Sequence, residues 1–186
     1  MPIHLKREFE RDICVLSDGE HPNKVMTVAR DLGEDEIKEG VPLIGRAGSL
    51  FRLVEMDLKV ESFKTNLVPF KPVNNKAFSY ATSQEFKSVL LDLIDLVQPL
   101  AIITLGKEAT NFFIPVSSIL EAAQHSFSWS NKDEQIKIFP CAHPSYLLRN
   151  GVTLNTIKTD QKCKMLFRDL FFKNIFSAHK FVGNIT

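Results

Sequence analysis

Paired cysteines are missing from this chain of 186 residues. Its three, Cys14, Cys141 and Cys163, are an odd number with no close spacing. That argues against a disulfide framework and against a four-cysteine metal site, and a reducing, cytoplasmic setting is expected. No run approaches the ~20 apolar residues that a membrane helix needs, so no membrane partner is expected. The opening residues, Met1 to Glu8, hold no apolar segment of the signal-peptide kind. Internal repeats, low-complexity tracts and a Pro/Gly/Ser linker are also lacking. What is present, 44% hydrophobic and 24% charged residues, is the balance of a globular protein, which excludes whole-chain disorder. The length suits a single domain over residues 1–186.

A net charge of +1 hides an uneven spread. Residues 1–136 carry 15 Lys/Arg against 20 Asp/Glu, whereas residues 137–186 carry 8 against 2. A basic C-terminal third suggests one face meeting a polyanion, or simply a solvated basic helix. Residues 31–40 form an acidic stretch, expected on an exposed loop or short helix.

Four short apolar runs predict buried strands: Ile13 to Leu16, Phe63 to Val68, Leu100 to Leu105 and Ile136 to Cys141. Helical spacing appears between them. Ala47 to Leu58 carries Leu50, Phe51, Leu53, Val54 and Leu58. Ser83 to Val97 carries Phe86, Val89, Leu90, Leu93, Ile94 and Val97, with Ser83 as the expected N-cap. Lys107 to Phe113 and Asp160 to Phe176 complete the set. Alternating strands and helices predict an α/β fold, a parallel sheet covered on both faces. In such sheets ligands bind beyond the carboxyl ends of the strands.

The segments read as following those strands are therefore the informative ones. They are Gly19-Glu20-His21-Pro22-Asn23, Pro42-Leu43-Ile44-Gly45-Arg46-Ala47-Gly48, Thr65-Asn66-Leu67-Val68, Leu105-Gly106 and His143-Pro144-Ser145-Tyr146-Leu147-Leu148-Arg149. Singly each is weak: an Asn after a strand is most often a turn residue, and a lone His is most often structural. In this order they resemble the uracil-DNA glycosylase superfamily, most closely its family 4, the iron–sulfur enzymes. That family reads Gly-Glu-Ala-Pro-Gly, Pro-Phe-Val-Gly-Arg-Ala-Gly, Thr-Asn-Val-Val-Lys-Cys, Leu-Gly and His-Pro-Ser-Tyr-Leu-Leu-Arg. The resemblance runs from about Cys14 to about Leu170. It implies a three-layer α/β/α sandwich with a short, mainly parallel four-stranded central sheet, and DNA as ligand.

The resemblance also implies roles. Hydrolysis of a base–sugar bond inside DNA requires the base to be flipped out. Leu147, with Leu148 next, would wedge into the gap, unless both simply pack on the core. Ser145, Tyr146 and Arg149 would lie on the duplex, Arg149 on a phosphate. Asn66 would pair its amide with the polar edge of uracil, which needs a donor and an acceptor together. His143 would donate a hydrogen bond to the departing base, where negative charge grows. Glu20 would orient the attacking water. Gly45 and Gly48 would let backbone amides approach phosphates, with Arg46 assisting.

The departures bear on the same chemistry. His21 stands where the family has a small residue and where the best-known glycosylases have a water-activating aspartate; it would substitute as base or fill the water site. Asn23 replaces a glycine and touches base selectivity. Leu43 replaces a phenylalanine that stacks on the base, losing the aromatic face. Phe70 and Ser88 stand where two cluster-binding cysteines would fall, so neither an iron–sulfur centre nor another cofactor is expected. About ten additional residues separate Pro22 from Pro42. Two functions follow: a glycosylase for uracil or a related damaged or modified base, or a catalytically impaired relative serving as a DNA-binding or replication accessory protein, as in some viral members. A replication or repair protein is a further expected partner.

Overall fold

A computed structural model describes residues 13–76, 78–132, 134–152 and 165–185. Six strands form one sheet: β1 (Ser17–Asp18), β2 (Val25–Ala29), β3 (Phe63–Asn66), β4 (Ala101–Leu105), β5 (Phe127–Asn131) and β6 (Glu134–Cys141). Their order is β1-β3-β2-β4-β6-β5. β3, β2, β4 and β6 are mutually parallel, and the edge strands β1 and β5 run antiparallel. The α/β expectation holds. The four-stranded, mainly parallel sheet is corrected to six strands of mixed direction.

The first central strand is also corrected. The apolar run Ile13 to Leu16 buries only Val15, while Ile13 and Leu16 stay exposed. It lies along the edge, with Val15 N–H donating to Pro69 O at 3.0 Å. The strand between β3 and β4 is instead Val-Met-Thr-Val-Ala, buried at all five positions. Its side chains alternate as a doubly covered strand requires. Val25 and Ala29 join one core cluster, Met26 and Val28 the other.

Eight helices cover the sheet among the described residues: α1 (Glu34–Glu39), α2 (Arg46–Leu58), α3 (Tyr80–Glu85), α4 (Lys87–Val97), α5 (Lys107–Phe113), α6 (Ile119–Ala122), α7 (Pro144–Arg149) and α8 (Met165–Phe181). α2 and α8 pack on one face through Leu50, Phe51, Val54, Phe171, Ile175 and Ala178. α4 and α5 cover the other through Leu90, Leu93, Ile94, Val97, Ala109 and Phe113. The helix expected over 83–97 is two helices joined at Phe86, whose ψ of 1° departs from helical geometry. Ser79 rather than Ser83 caps the first of them, accepting from Thr82 N–H. The acidic stretch folds as α1. Residues 160–164 of the last expected helix, with Cys163, lie outside the described residues. No described helix is long and apolar enough to cross a membrane.

The registers bring four strand ends level. Ala29 pairs with Asn66, Val28 with Thr104, and Leu105 with Cys141. Whatever follows Ala29, Asn66, Leu105 and Cys141 therefore shares one rim of the sheet. At the other end sits a buried polar group. Lys64 Nζ lies 2.9 Å from Glu55 Oε2 and donates to Ser62 O at 2.7 Å. Ser62 donates through N–H and hydroxyl to Glu55 Oε1. Each buried charge has a partner, as burial demands.

Candidate active site

The rim begins with Asn66. Its side chain ends β3, is 4% exposed, and neither amide atom has a hydrogen-bond partner among the described residues. An orphaned buried amide costs about 1–3 kcal/mol per group. The backbone on either side is fully tied: Leu67 N–H donates to Ala29 O and Val68 N–H to Arg30 O. The strain of leaving Asn66 unmatched is therefore local to its side chain, and a ligand offering both an acceptor and a donor would relieve it.

His143 follows β6 and caps α7. Its Nδ1 accepts from Ser145 N–H at 3.2 Å and lies 2.8 Å from Ser145 Oγ. With Nδ1 accepting, a neutral ring carries its proton on Nε2. Burial, and then the nearby Arg30, push the imidazole down to about 4, so near neutrality the ring is an uncharged donor. Pro144 at the first helical position fixes the chain's entry into α7. Gly106, between β4 and α5, makes room for this ring. It has a φ of 96°, and a Cβ there would stand 3.3 Å from His143 Cβ. A left-handed backbone and a close neighbour together require glycine.

The residues after β2 supply charge. Arg30 Nε donates to Asp31 Oδ2 at 2.5 Å and Nη2 to Asp31 Oδ1 at 3.4 Å. Arg30 Nη1 lies 4.0 Å from Glu108 Oε1 on α5. The Asp31 side chain is 12% exposed, against 55% for Glu108. Burial raises the Asp31 carboxyl above its usual range, opposed by Arg30 and reinforced by Glu108 and Glu36. A carboxylate, a cation, a neutral imidazole donor and an orphaned amide thus occupy one rim.

The segment Pro42 to Gly48 wraps the start of α2. Arg52 donates to Pro42 O and Leu43 O, both at 2.8 Å, and to Asp18 at 2.6 Å. Leu43 takes a φ of 55°. A Cβ on Gly48 would stand 2.1 Å from the Leu43 carbonyl carbon, so this glycine is required by packing. Gly45 N–H donates to Glu36 Oε1 at 3.1 Å. Arg46 is exposed.

Several expected site residues lie elsewhere. Gly19 abuts Phe63 and Ser62 at the amino end of β3. Asn23 N–H donates to Val97 O, and Asn23 Oδ1 accepts from Val25 N–H at the amino end of β2. Glu20 and His21 are exposed there. The segment Gly19 to Asn23 thus precedes a central strand instead of following one, and Glu20, His21 and Asn23 are separated by the sheet's length from Asn66 and His143. The segment in the expected position is Ala29-Arg30-Asp31-Leu32-Gly33. Placing the first motif there also removes the insertion that the Gly19 placement required. Asp31 stands third in that segment, as His21 does in Gly19 to Asn23. The signal for it was available: Val25 to Ala29 is a buried-strand run ending in an Arg-Asp pair.

Leu147 is corrected as well. It is fully buried in the core cluster with Leu43 and Phe139, because residues 144–149 form a helix and not an open loop. Leu148 is half-buried beside it, Ser145 and Tyr146 are half-buried, and Arg149 is exposed. Leu43 is 5% exposed and belongs to the same core. Where the resemblance would have a cluster-binding cysteine, the Phe70 ring packs on Phe86 with centroids 5.5 Å apart. Cys14 is exposed and Cys141 is buried within β6.

The sequence pattern of the uracil DNA glycosylase superfamily matches residues 16–171. A type-4 uracil-DNA glycosylase of Thermotoga maritima is 32% identical over 154 residues, covering 80% of this chain and 77% of its own length. That of Sulfurisphaera tokodaii is 30% identical over 161 residues, covering 82% and 73%. That of Saccharolobus solfataricus is 28% identical over 159 residues, covering 81% and 74%. With that match spanning most of the chain, from β1 into α8, the chain belongs to the uracil DNA glycosylase superfamily.

Proposed function

We propose that this protein is a DNA glycosylase that hydrolyses the N-glycosidic bond of uracil, or of a related damaged or modified base, flipped out of DNA. The observation that carries the reading is the Asn66 amide, buried and without a partner among the described residues, on the same rim as a neutral His143. An amide presents a donor and an acceptor side by side, matching the N3–H and O4 edge of uracil.

In the step itself a water oxygen bonds to the sugar C1′. The bond from C1′ to the base nitrogen breaks, and its electron pair leaves with the base. Asp31 accepts the proton of the water and faces the positive charge gathering on the sugar. His143 Nε2–H donates to the base oxygen on which negative charge gathers, and a neutral donor suits that task. Ser145, Tyr146, Arg149 and Arg46 are assigned to the DNA backbone; the Gly45 amide, expected on a phosphate, is instead taken by Glu36, and Gly48 is packed on the Leu43 backbone. The half-exposed Leu148, rather than the buried Leu147, is assigned to the gap left by the base. No step runs through an iron–sulfur cluster: the donor set does not fit one, since Phe70 and Ser88 replace thiolates and no group of three His, Cys, Asp or Glu converges among the described residues.

The test is base excision from oligonucleotides carrying one U opposite G, one U opposite A, or one U in single strand, followed by alkaline cleavage. Wild type cleaves, and His143→Ala and Asn66→Ala each lose about 10²-fold or more. DNA binding without cleavage would turn the reading to the accessory role.

A further inference from the structure

Arg30 is the charged residue of this rim that the chemistry above leaves unused. It is the first residue after β2. Its backbone is held as a continuation of β2, with Arg30 O accepting from Val68 N–H at 3.1 Å. Its side chain then turns back on the next residue. Nε and Nη2 reach the two oxygens of Asp31 at 2.5 and 3.4 Å, a two-point contact that fixes the plane of the carboxylate. The third nitrogen, Nη1, faces Glu108 Oε1 at 4.0 Å from the first turn of α5. The guanidinium is therefore strung between two carboxylates, one on the β2 end and one on α5.

We propose that Arg30 is a positioning residue for base excision: it clamps Asp31 in plane and in charged form, with Glu108 anchoring the far side of the guanidinium. This rests on the glycosylase reading of the same rim. Each carboxylate oxygen keeps a lone pair beyond those engaged by Arg30, so Asp31 can still accept from a water. Burial works against the charged form of Asp31, and Arg30 is the cation that opposes it. The groups facing Asp31 are Arg30, Glu108 and, from α1, Glu36. Those facing His143 are Arg30, Glu108 and, from α7, Arg149. Loss of the Arg30 charge thus raises the titration of both Asp31 and His143, which an ordinary surface ion pair would not do.

The experiment compares Arg30→Gln, Arg30→Lys and Glu108→Gln with wild type in single-turnover excision across pH, and follows Asp31 and His143 titration by NMR. Arg30→Gln is expected to lower the excision rate about 10- to 100-fold with little change in DNA affinity, and to move the acidic limb of the profile upward. Arg30→Lys restores the limb but only part of the rate, since an ammonium lacks the fork. Glu108→Gln gives a smaller rate loss. A rate loss with an unmoved acidic limb, or a loss confined to DNA affinity, would overturn the proposal. If wild type excises no base, the glycosylase reading fails on its own. The NMR titrations then decide the clamp, and Asp31 and His143 titrating in Arg30→Gln as in wild type would overturn it.

Discussion

Asn66 shows how a candidate site residue separates from a structural one. A strand-end asparagine that served the fold would spend its amide on a turn or cap, yet both its polar atoms are buried without a partner among the described residues. Such a side chain destabilises the free protein unless a ligand pairs with it. Asn66→Leu, close in size and free of orphaned groups, is expected to stabilise the protein by about 1 kcal/mol or more while abolishing excision. Urea unfolding beside the cleavage assay checks both halves. A destabilised Asn66→Leu would mean the amide has a structural partner after all. The place of Asn66 and of His143 at the carboxyl ends of strands was legible in the sequence, because each sits in a short motif at the end of a strand-like run. The orphaned state of one and the tautomer of the other were not, since both depend on neighbours distant along the chain.

At the scale of elements, legibility followed length and composition. β4, α2 and α5 were readable because their apolar residues run unbroken or at clear helical spacing, whereas β3, Phe-Lys-Thr-Asn, and β6, interrupted by Lys137, were placed by the apolar residues around their polar ones. β2 was not. Its Val-Met-Thr-Val-Ala has a polar centre and two weak strand formers, while Ile13 to Leu16 has the stronger composition but lies at the edge with one buried side chain. Mistaking one for the other moved the first motif to the wrong end of the sheet, and with it Glu20, His21 and Asn23. β5 carried a readable sign, Phe127 and Trp129 alternating with the exposed Ser128 and Ser130. α7 is six residues long, too short for a period to show, so adjacent leucines looked equivalent. They are not: Leu147 faces the core and Leu148 its margin. Leu147→Ala is expected to cost about 2–5 kcal/mol of stability. Leu148→Ala should cost less stability but depress excision from duplex DNA more than from single strands. Thermal unfolding and the two substrates check this; equal stability losses would contradict the placement.

At the scale of the molecule, the two ends of the sheet hold different polar groups. The amino end buries Glu55 with Lys64 near His179, whose imidazole is pushed down to about 4, first by burial and then by Lys64. The carboxyl end holds the candidate site with His143, also near 4. Both histidines have depressed folded values. Their neutral forms therefore favour the fold above about pH 6.5, the value of a free histidine, and that stability fades as pH falls toward 4. Urea unfolding at pH 7 and pH 4.5 is expected to show the loss, and His179→Gln to reduce it. An unchanged loss in that variant would contradict a buried neutral imidazole. The uneven charge of the sequence has a counterpart in placement: acidic α1 borders the α2 loop through Glu36, and the exposed Arg149 of α7 acts on His143.

The most direct measurement contrasts the two ends of the sheet. Asp31→Asn and Glu20→Gln would be compared with wild type in single-turnover excision of uracil from the same oligonucleotide, with folding of each checked by circular dichroism. Catalysis at the carboxyl ends of the parallel strands predicts that Asp31→Asn lowers the rate about 10²- to 10⁴-fold, while Glu20→Gln leaves it unchanged. A folded Asp31→Asn with wild-type rate, or a Glu20→Gln that loses excision, would contradict it.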